Sequence, residues 1–107
     1  MDYVMFDSNY SDTFTGQGEC VPILLKQSSQ PLSEQRYIVQ VTFPTSGSGK
    51  IQSTSDTVDD IISRKAEWFD WSYGTVSTPY QVGLKYTPTA IRAYVVSGSM
   101  KMSISGR

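Results

Sequence analysis

The 107-residue sequence contains no histidine and a single cysteine, and these absences exclude many kinds of chemistry. Without histidine, the chain has no Ser-His-Asp or Cys-His nucleophile, no imidazole metal ligand and no histidine pH switch. The lone Cys20 excludes an internal disulfide, a CxxC redox pair and a zinc site built from cysteine and histidine. We therefore expect a protein that is not an enzyme and that holds no cofactor and no metal.

An excess of charge of one sign is also missing, since nine basic residues stand against ten acidic ones. This balance lacks the basic footprint of a nucleic-acid-binding domain, so we expect no nucleic-acid partner. No apolar run approaches the roughly 18 residues of a membrane span, and the amino terminus lacks the apolar segment of a secretory signal. We expect no membrane partner, and the unpaired cysteine indicates synthesis in a reducing cytoplasm.

Short segments of strand character make up most of the sequence. The clearest is 37–43, in which Tyr37, Val39, Val41 and Phe43 share one face at period two. Shorter candidate strands lie at 20–25, 50–55, 67–73 and 80–86. Segment 56–65 is the helical candidate, with Ser55 or Asp56 as its expected cap.

The carboxyl-terminal residues alternate between apolar and polar on both sides of Gly98. This pattern predicts a β-hairpin with Gly98 in its turn. Seven or eight short strands separated by turn signals favour an all-β domain. We expect a single jelly-roll-like antiparallel β-sandwich over 19–107, with one short helix and an extended amino-terminal arm over 1–18.

Aromatic residues mark two candidate contact regions. The polar arm carries Tyr3, Phe6, Tyr10 and Phe14, which either fold back on the same domain or dock on a neighbouring subunit. In the segment 68–73, strand alternation places Phe69, Trp71 and Tyr73 on one face, and Trp68, Asp70 and Ser72 on the other. Three interpretations stay open: both indoles are buried, Trp68 anchors a protein interface, or the aromatics form a sugar-stacking platform beside Asp70.

Two motifs that suggest ligand loops fail on specific positions. The glycine-rich segment 46–50 is not a phosphate loop, because Ile51 stands where a serine or threonine is needed. Segment 7–18 is not a calcium loop, because Gly18 stands where a glutamate is needed. A carboxylate pair, nominally Glu67 and Asp70, remains as the acid-base chemistry of a small hydrolase.

The carboxyl-terminal third resembles a known class of protein. Gly74-Thr75-Val76-Ser77 is followed by a strand and then by Pro88-Thr89-Ala90-Ile91-Arg92-Ala93-Tyr94-Val95-Val96-Ser97-Gly98. This arrangement resembles small β-sandwich virion proteins of tailed bacteriophages, in which a T-A-(I/L)-R-x-x-V strand leads into an S-G turn and a final strand. The resemblance covers residues 35–106, and its distinctive part is 74–106.

The resemblance implies a structural protein of the virion, synthesised in the host cytoplasm. Its expected role is capsid decoration or cement, with the major capsid protein or other virion proteins as partners and with self-association into a homo-oligomer or lattice. The alternative is a tail- or fibre-associated receptor- or carbohydrate-binding module. The contact candidates are Tyr3, Phe6, Tyr10, Phe14, Trp68 and Tyr73.

Overall fold

A computed structural model of the chain describes residues 3–5, 9–25, 37–84 and 88–106. These residues form nine strands and one short helix, which confirms the all-β prediction for the described part of the chain. In chain order the elements are β1 (Val4–Met5), β2 (Asn9–Thr15), β3 (Gly18–Glu19), β4 (Ile23–Leu24), β5 (Tyr37–Thr42), β6 (Gly47–Thr54), α1 (Val58–Ile62), β7 (Phe69–Asp70), β8 (Tyr80–Leu84) and β9 (Ala90–Gly106).

Strand β9 is the centre of the sheet and joins its two sections. The first half of β9 pairs with β3, β4 and β6, and the second half pairs with β2 and β5. Strand β7 lies beyond β6, and β8 lies beyond β5. Strand β1 pairs in parallel with β4, whereas the other pairings are antiparallel, so the described strands form one mixed sheet.

The predicted hairpin around Gly98 is wrong, because the residues before and after it belong to one strand. The two halves of a hairpin pair with each other, but each half of β9 is paired on both sides with other strands. Gly98 still has a special conformation, with a φ of 68°. A left-handed residue interrupts the regular alternation of side chains. The strand continues through Gly98, but the residues that face the core are at odd positions before it and at even positions after it.

The core-facing side chains of β9 are at odd positions before Gly98 and at even positions after it. The β9 residues buried in the main core are Ile91, Ala93 and Val95 before Gly98, and Met100, Met102 and Ile104 after it. An uninterrupted strand would direct odd and even positions to opposite faces. A register shift opposite Ser48 and Gly49, together with left-handed Gly98, lets both sets contribute to the same core.

This main core contains residues from both sections of the sheet. Val39 and Val41 of β5 and Ile51 of β6 are fully buried in it, and Tyr37 is also buried. The predicted buried face of the segment 37–43 is therefore confirmed at Tyr37, Val39 and Val41. Partly buried Phe43 packs against the same cluster.

A smaller apolar cluster lies beneath α1 and consists of Leu24, Ile61 and Ala90. The helix forms inside the predicted segment, but Thr57 caps it in place of Ser55 or Asp56. The Thr57 hydroxyl accepts a hydrogen bond from the Asp60 backbone amide at 3.2 Å. No helix in the described ranges is long and apolar enough to cross a membrane.

Part of the amino-terminal segment is built into the sheet. All seven residues of β2 pair with β9, from Asn9 opposite Ser105 to Thr15 opposite Ser99. The sequence also predicts a polar turn at 27–34, and this segment lies outside the described residues.

Candidate contact surface

The aromatic segment 68–73 follows the outer edge of β6. Phe69 and Asp70 pair with Ser53 and Gln52, and the Trp71 amide then donates to the Ile51 carbonyl at 3.0 Å. The chain turns directly afterwards, because the amide of Gly74 donates to the Trp71 carbonyl at 2.9 Å and Gly74 has a φ of 64°. The strand is thus two residues long, and the alternation predicted for 68–73 ends at Asp70.

This early turn changes which aromatic rings face solvent. Trp71 packs against the main core, and Trp68 packs against the smaller cluster. Phe69 is 64% exposed and Tyr73 is 51% exposed, although alternation places both on the face of Trp71. Two large rings therefore lie at the surface beside a third ring that the core holds in place.

These three rings line a groove of about 440 Å³ between β7 and β8, which we call the aromatic groove. Its other lining residues are Ser53, Asp70, Ser72, Val82, Gly83 and Leu84. Tyr73 also stacks on Tyr80, with ring centroids 4.9 Å apart and planes 29° apart. Stacking of this kind stabilises the observed orientation of the exposed Tyr73 ring.

A row of polar contacts crosses the sheet from this groove to β9. The Asp70 carboxylate accepts from Gln52 Nε2 at 2.8 Å and from Lys50 Nζ at 3.0 Å. The hydrogen bond from Gln52 contributes most, and that from Lys50 next, to lowering the pKa of Asp70 below its usual value. The Asp70 carboxyl group is therefore ionised at neutral pH. Gln52 Oε1 accepts in turn from Arg92 Nε at 2.8 Å, and the Arg92 guanidinium lies 4.2 Å from the centre of the Trp68 ring.

The six contact candidates from the sequence lie in different parts of the fold. Tyr10 and Phe14 pack against the main core of their own chain, whereas Tyr3 and Trp68 both pack against the smaller cluster. Tyr73 lies in the aromatic groove, and Phe6 lies outside the described residues.

Phe69 is the exposed ring that sequence analysis missed as a contact residue. Alternation with Trp71 assigned it to the same face as a core residue, and that assignment required a continuous strand. The signal against a continuous strand was the turn-forming pair Ser72 and Gly74, which ends the pairing with β6 after two residues.

Of the nominal carboxylate pair, Asp70 has structural contacts through its carboxylate and Glu67 has one through its backbone. Asp70 bonds to Lys50 and Gln52, and the Glu67 backbone amide donates to Asp56 Oδ2 at 2.7 Å. Within the described ranges, no group of three or more cysteine, aspartate or glutamate side chains is placed to hold a metal ion.

Tyr80, the stacking partner of Tyr73, has a buried hydroxyl with no hydrogen-bond partner among the described residues. Burial raises the pKa of Tyr80 to about 12, since an ionised phenolate would be poorly hydrated there. We expect Tyr80→Phe to raise the free energy of unfolding by about 1 kcal/mol at neutral pH, because it removes an unsatisfied polar group and keeps the ring.

Urea denaturation of Tyr80→Phe beside the parent protein measures this effect. In the parent, Tyr80 binds a proton more tightly when folded, so stability falls as the pH rises from about 10 towards 12. The variant is expected to lose part of that decline. A destabilised variant would show that the hydroxyl makes a favourable contact.

The described residues thus form an all-β protein with an exposed aromatic groove between β7 and β8. No protein-family model, curated protein or solved structure matches this chain. Function is therefore inferred from the groove and the residues around it.

Proposed function

We propose that this protein is a structural component of the virion of a tailed bacteriophage, specifically a capsid decoration or cement protein. In this role it binds the major capsid protein and neighbouring copies of itself, and it performs no catalysis. The observation that carries the proposal is the aromatic groove, in which Phe69 and Tyr73 expose more than half of their surfaces. The resemblance of the sequence 74–106 to small virion proteins supplies the class of partner, although Ser97 and Gly98 lie within β9 and not in a turn.

An exposed cluster of aromatic rings has the properties of a contact site. Large apolar patches on a protein surface mark interaction sites, and aromatic residues supply much of the binding energy at interfaces. Here Trp71 is anchored in the core and Tyr73 is stacked on Tyr80, so little side-chain freedom is lost on binding. A rigid aromatic surface therefore favours tight association.

The edges of the sheet support self-association. Among the described residues, β7 pairs on one side with β6 and β8 pairs on one side with β5, which leaves an outer edge open on each strand. Open edges accept a strand from another chain by continuing the backbone hydrogen bonds. The groove lies between these edges, so one partner can contact both the rings and an edge.

The proposal includes a jelly-roll-like sandwich as the architecture of the domain. Both sections of the sheet contribute to one core, and the pairings around β9 are antiparallel. Two sheet sections that cover a shared core from opposite sides would form such a sandwich.

A double variant of the groove tests the contact role. We expect Phe69→Ser with Tyr73→Ser to weaken co-sedimentation with phage heads that lack this protein by at least about tenfold, because the variant removes two exposed anchors. Because Tyr73 also stacks on Tyr80, we expect the variant to lose about 1 kcal/mol of stability, and a thermal melt should show that it stays folded at the temperature of the binding assay. Electron microscopy of decorated heads gives the copy number and symmetry directly.

Val58→Ser is the matched control, since Val58 is 42% exposed on α1 and lies outside the groove. This variant should bind heads as the parent does. Undiminished binding by the groove variant would refute the assignment of the groove to the capsid contact.

A tail- or fibre-associated carbohydrate-binding module is the second candidate, and Asp70 is the observation that favours it. Its ionised carboxylate lies beside three aromatic rings and is about half exposed, with 48% of its side chain accessible. Aromatic rings stack on the apolar face of a sugar while a carboxylate accepts bonds from its hydroxyl groups. A specific glycan-array signal that the groove variant loses, without any binding to heads, would favour this candidate.

A further inference from the structure

A second cavity, of about 420 Å³, lies between the end of α1 and the segment that leads into β4. We call it the arginine cavity, because Arg64 and Arg92 both line it. It shares no lining residue with the aromatic groove. The two sites are nevertheless linked by the hydrogen bonds that run from Asp70 through Gln52 to Arg92.

Arg92 is held in position from two sides. Its guanidinium carbon lies 4.2 Å from the centre of the Trp68 ring, and its Nε donates to Gln52 Oε1 at 2.8 Å. Gln52 is itself oriented by its bond to Asp70 at 2.8 Å. With Nε engaged, the two terminal Nη groups remain as the parallel donors that bind a carboxylate through both of its oxygens.

Arg92 makes no direct ion pair with any described residue, and the nearby Glu19 carboxylate interacts with it only through space. Burial lowers the pKa of Arg92 from its usual value, because a half-buried cation has lost part of its hydration. The guanidinium nevertheless stays protonated at physiological pH. A fixed, partly dehydrated cation that makes no direct ion pair binds an anion with little reorganisation.

The other titratable groups of the cavity restrict the charge of that anion. Burial raises the pKa of Cys20 to about 11, so its thiol is neutral at physiological pH. Glu19 supplies one carboxylate, and Arg64 and Arg92 supply two cations. The lining thus has one net positive charge at neutral pH, which matches a monoanion better than a phosphate dianion.

The backbone of Arg64 supports a role for its side chain. Arg64 follows the capping residue of α1 and has a φ of 65°, a conformation that favours glycine at the end of a helix. An arginine there strains the backbone, and its side chain lines the cavity.

We propose that the arginine cavity binds a small organic monocarboxylate with an apolar body. The carboxylate lies end-on to the Arg92 guanidinium, and the body packs against Val21, Ile61 and Ile62. The cavity volume falls in the range of about 300–1,000 Å³ that is typical of small-molecule sites.

Benzoate and hexanoate are suitable probes, with benzamide and hexanamide as neutral counterparts of nearly the same shape. Because Cys20 is the single cysteine and lines the cavity, its alkylation by iodoacetamide reports occupancy. We expect saturating benzoate or hexanoate to slow this alkylation several-fold, and calorimetric titration to give the dissociation constants. The two amides should leave the rate unchanged.

Three variants distinguish a binding site from a structural effect. Arg92→Lys keeps the charge but loses the two parallel donors, so we expect at least about tenfold weaker binding. Glu19→Gln removes the competing carboxylate, and we expect it to bind benzoate several-fold more tightly, a gain that unfolding cannot produce. Lys101→Gln removes an exposed cation elsewhere on β9 and should bind as the parent does.

Four results would overturn this proposal. They are no protection of Cys20 by either acid, equal protection by the amides, unchanged affinity in Arg92→Lys, and equally strong competition by inorganic phosphate. Binding to phage heads is measured with the groove variant, so the proposed contact role succeeds or fails separately.

Discussion

Replacing Gly98 with alanine is expected to lower the free energy of unfolding by about 3 kcal/mol or more, since it combines backbone strain with overpacking. Gly98 has a φ of 68°, which an L side chain adopts only with strain. A Cβ atom at this position would also collide with the Ser46 carbonyl oxygen and lie 2.8 Å from the Gly47 Cα atom. These obstacles belong to the backbone of residues 46 and 47 of the same chain, so a rotamer change cannot relieve them.

Two other glycines separate strain from collision. Gly74 has a φ of 64° but open space around a built Cβ atom, so Gly74→Ala should cost about 1 kcal/mol from strain alone. Gly83 in β8 has open space and no positive φ, so Gly83→Ala should be close to neutral, within about 1 kcal/mol. Chemical denaturation of the three variants should therefore rank Gly98 far above Gly74, and Gly74 above Gly83.

The ranking tests the interpretation of β9 as one strand with an interruption. If Gly98 lay in an open hairpin turn, Gly98→Ala would cost no more than Gly74→Ala. Equal effects at the two positions would therefore contradict the close approach of Gly98 to residues 46 and 47.

The second large effect is expected in the core, where Ile91→Ala and Ile104→Ala should each destabilise the protein by about 2–5 kcal/mol. The two residues lie on opposite sides of Gly98, and both are buried in the main core. Because that core is continuous, each variant should shift one and the same cooperative unfolding transition. Circular dichroism and tryptophan fluorescence should report coincident curves.

Val58→Ala is the comparison for these core variants, because Val58 is 42% exposed and a large part of its surface remains in water. Its effect should stay near 0.5 kcal/mol. Two separated transitions in Ile91→Ala, one for each section of the sheet, would contradict a shared core.

The local sequence pattern was sufficient to predict those elements whose buried face is set by residues close together in the sequence. The alternation of Tyr37, Val39 and Val41 predicted the buried face of β5, because successive side chains of a strand point to opposite sides. The segment containing Val58 and Ile61 similarly predicted α1. The cap was assigned incorrectly, because Ser55, Asp56 and Thr57 are all chemically suitable and geometry selects one of them.

The pairing of β9 could not be predicted from its own residues. Two alternating segments around a glycine have the same pattern whether they pair with each other or with separate strands. The outcome depends on β2, β5 and β6, which compete for the edges of β9. That competition is decided by contacts between residues distant in the chain, and a local pattern does not contain them.

The candidate site was predictable in composition but not in arrangement. The segment 68–73 identified the aromatic region, and Tyr73 was among the contact candidates. The exposure of Phe69 was not predictable, since it depends on a strand that ends after Asp70. Arg92 was visible as a charged residue in an apolar strand, but its position against Trp68 required the pairing of β6 with both β7 and β9.

The absence of histidine and the single cysteine are determined by the sequence alone, and so are the chemistries that they exclude. The β-rich class and the buried face of β5 also follow from local periodicity, because backbone geometry sets which side chains share a face. Tertiary structure decided the unbroken course of β9, the aromatic groove and the cavity around Arg92. Each of these depends on side chains and strand edges that come together only when distant segments pair. Which segments pair is decided by contacts throughout the fold, and a local sequence pattern does not contain those contacts.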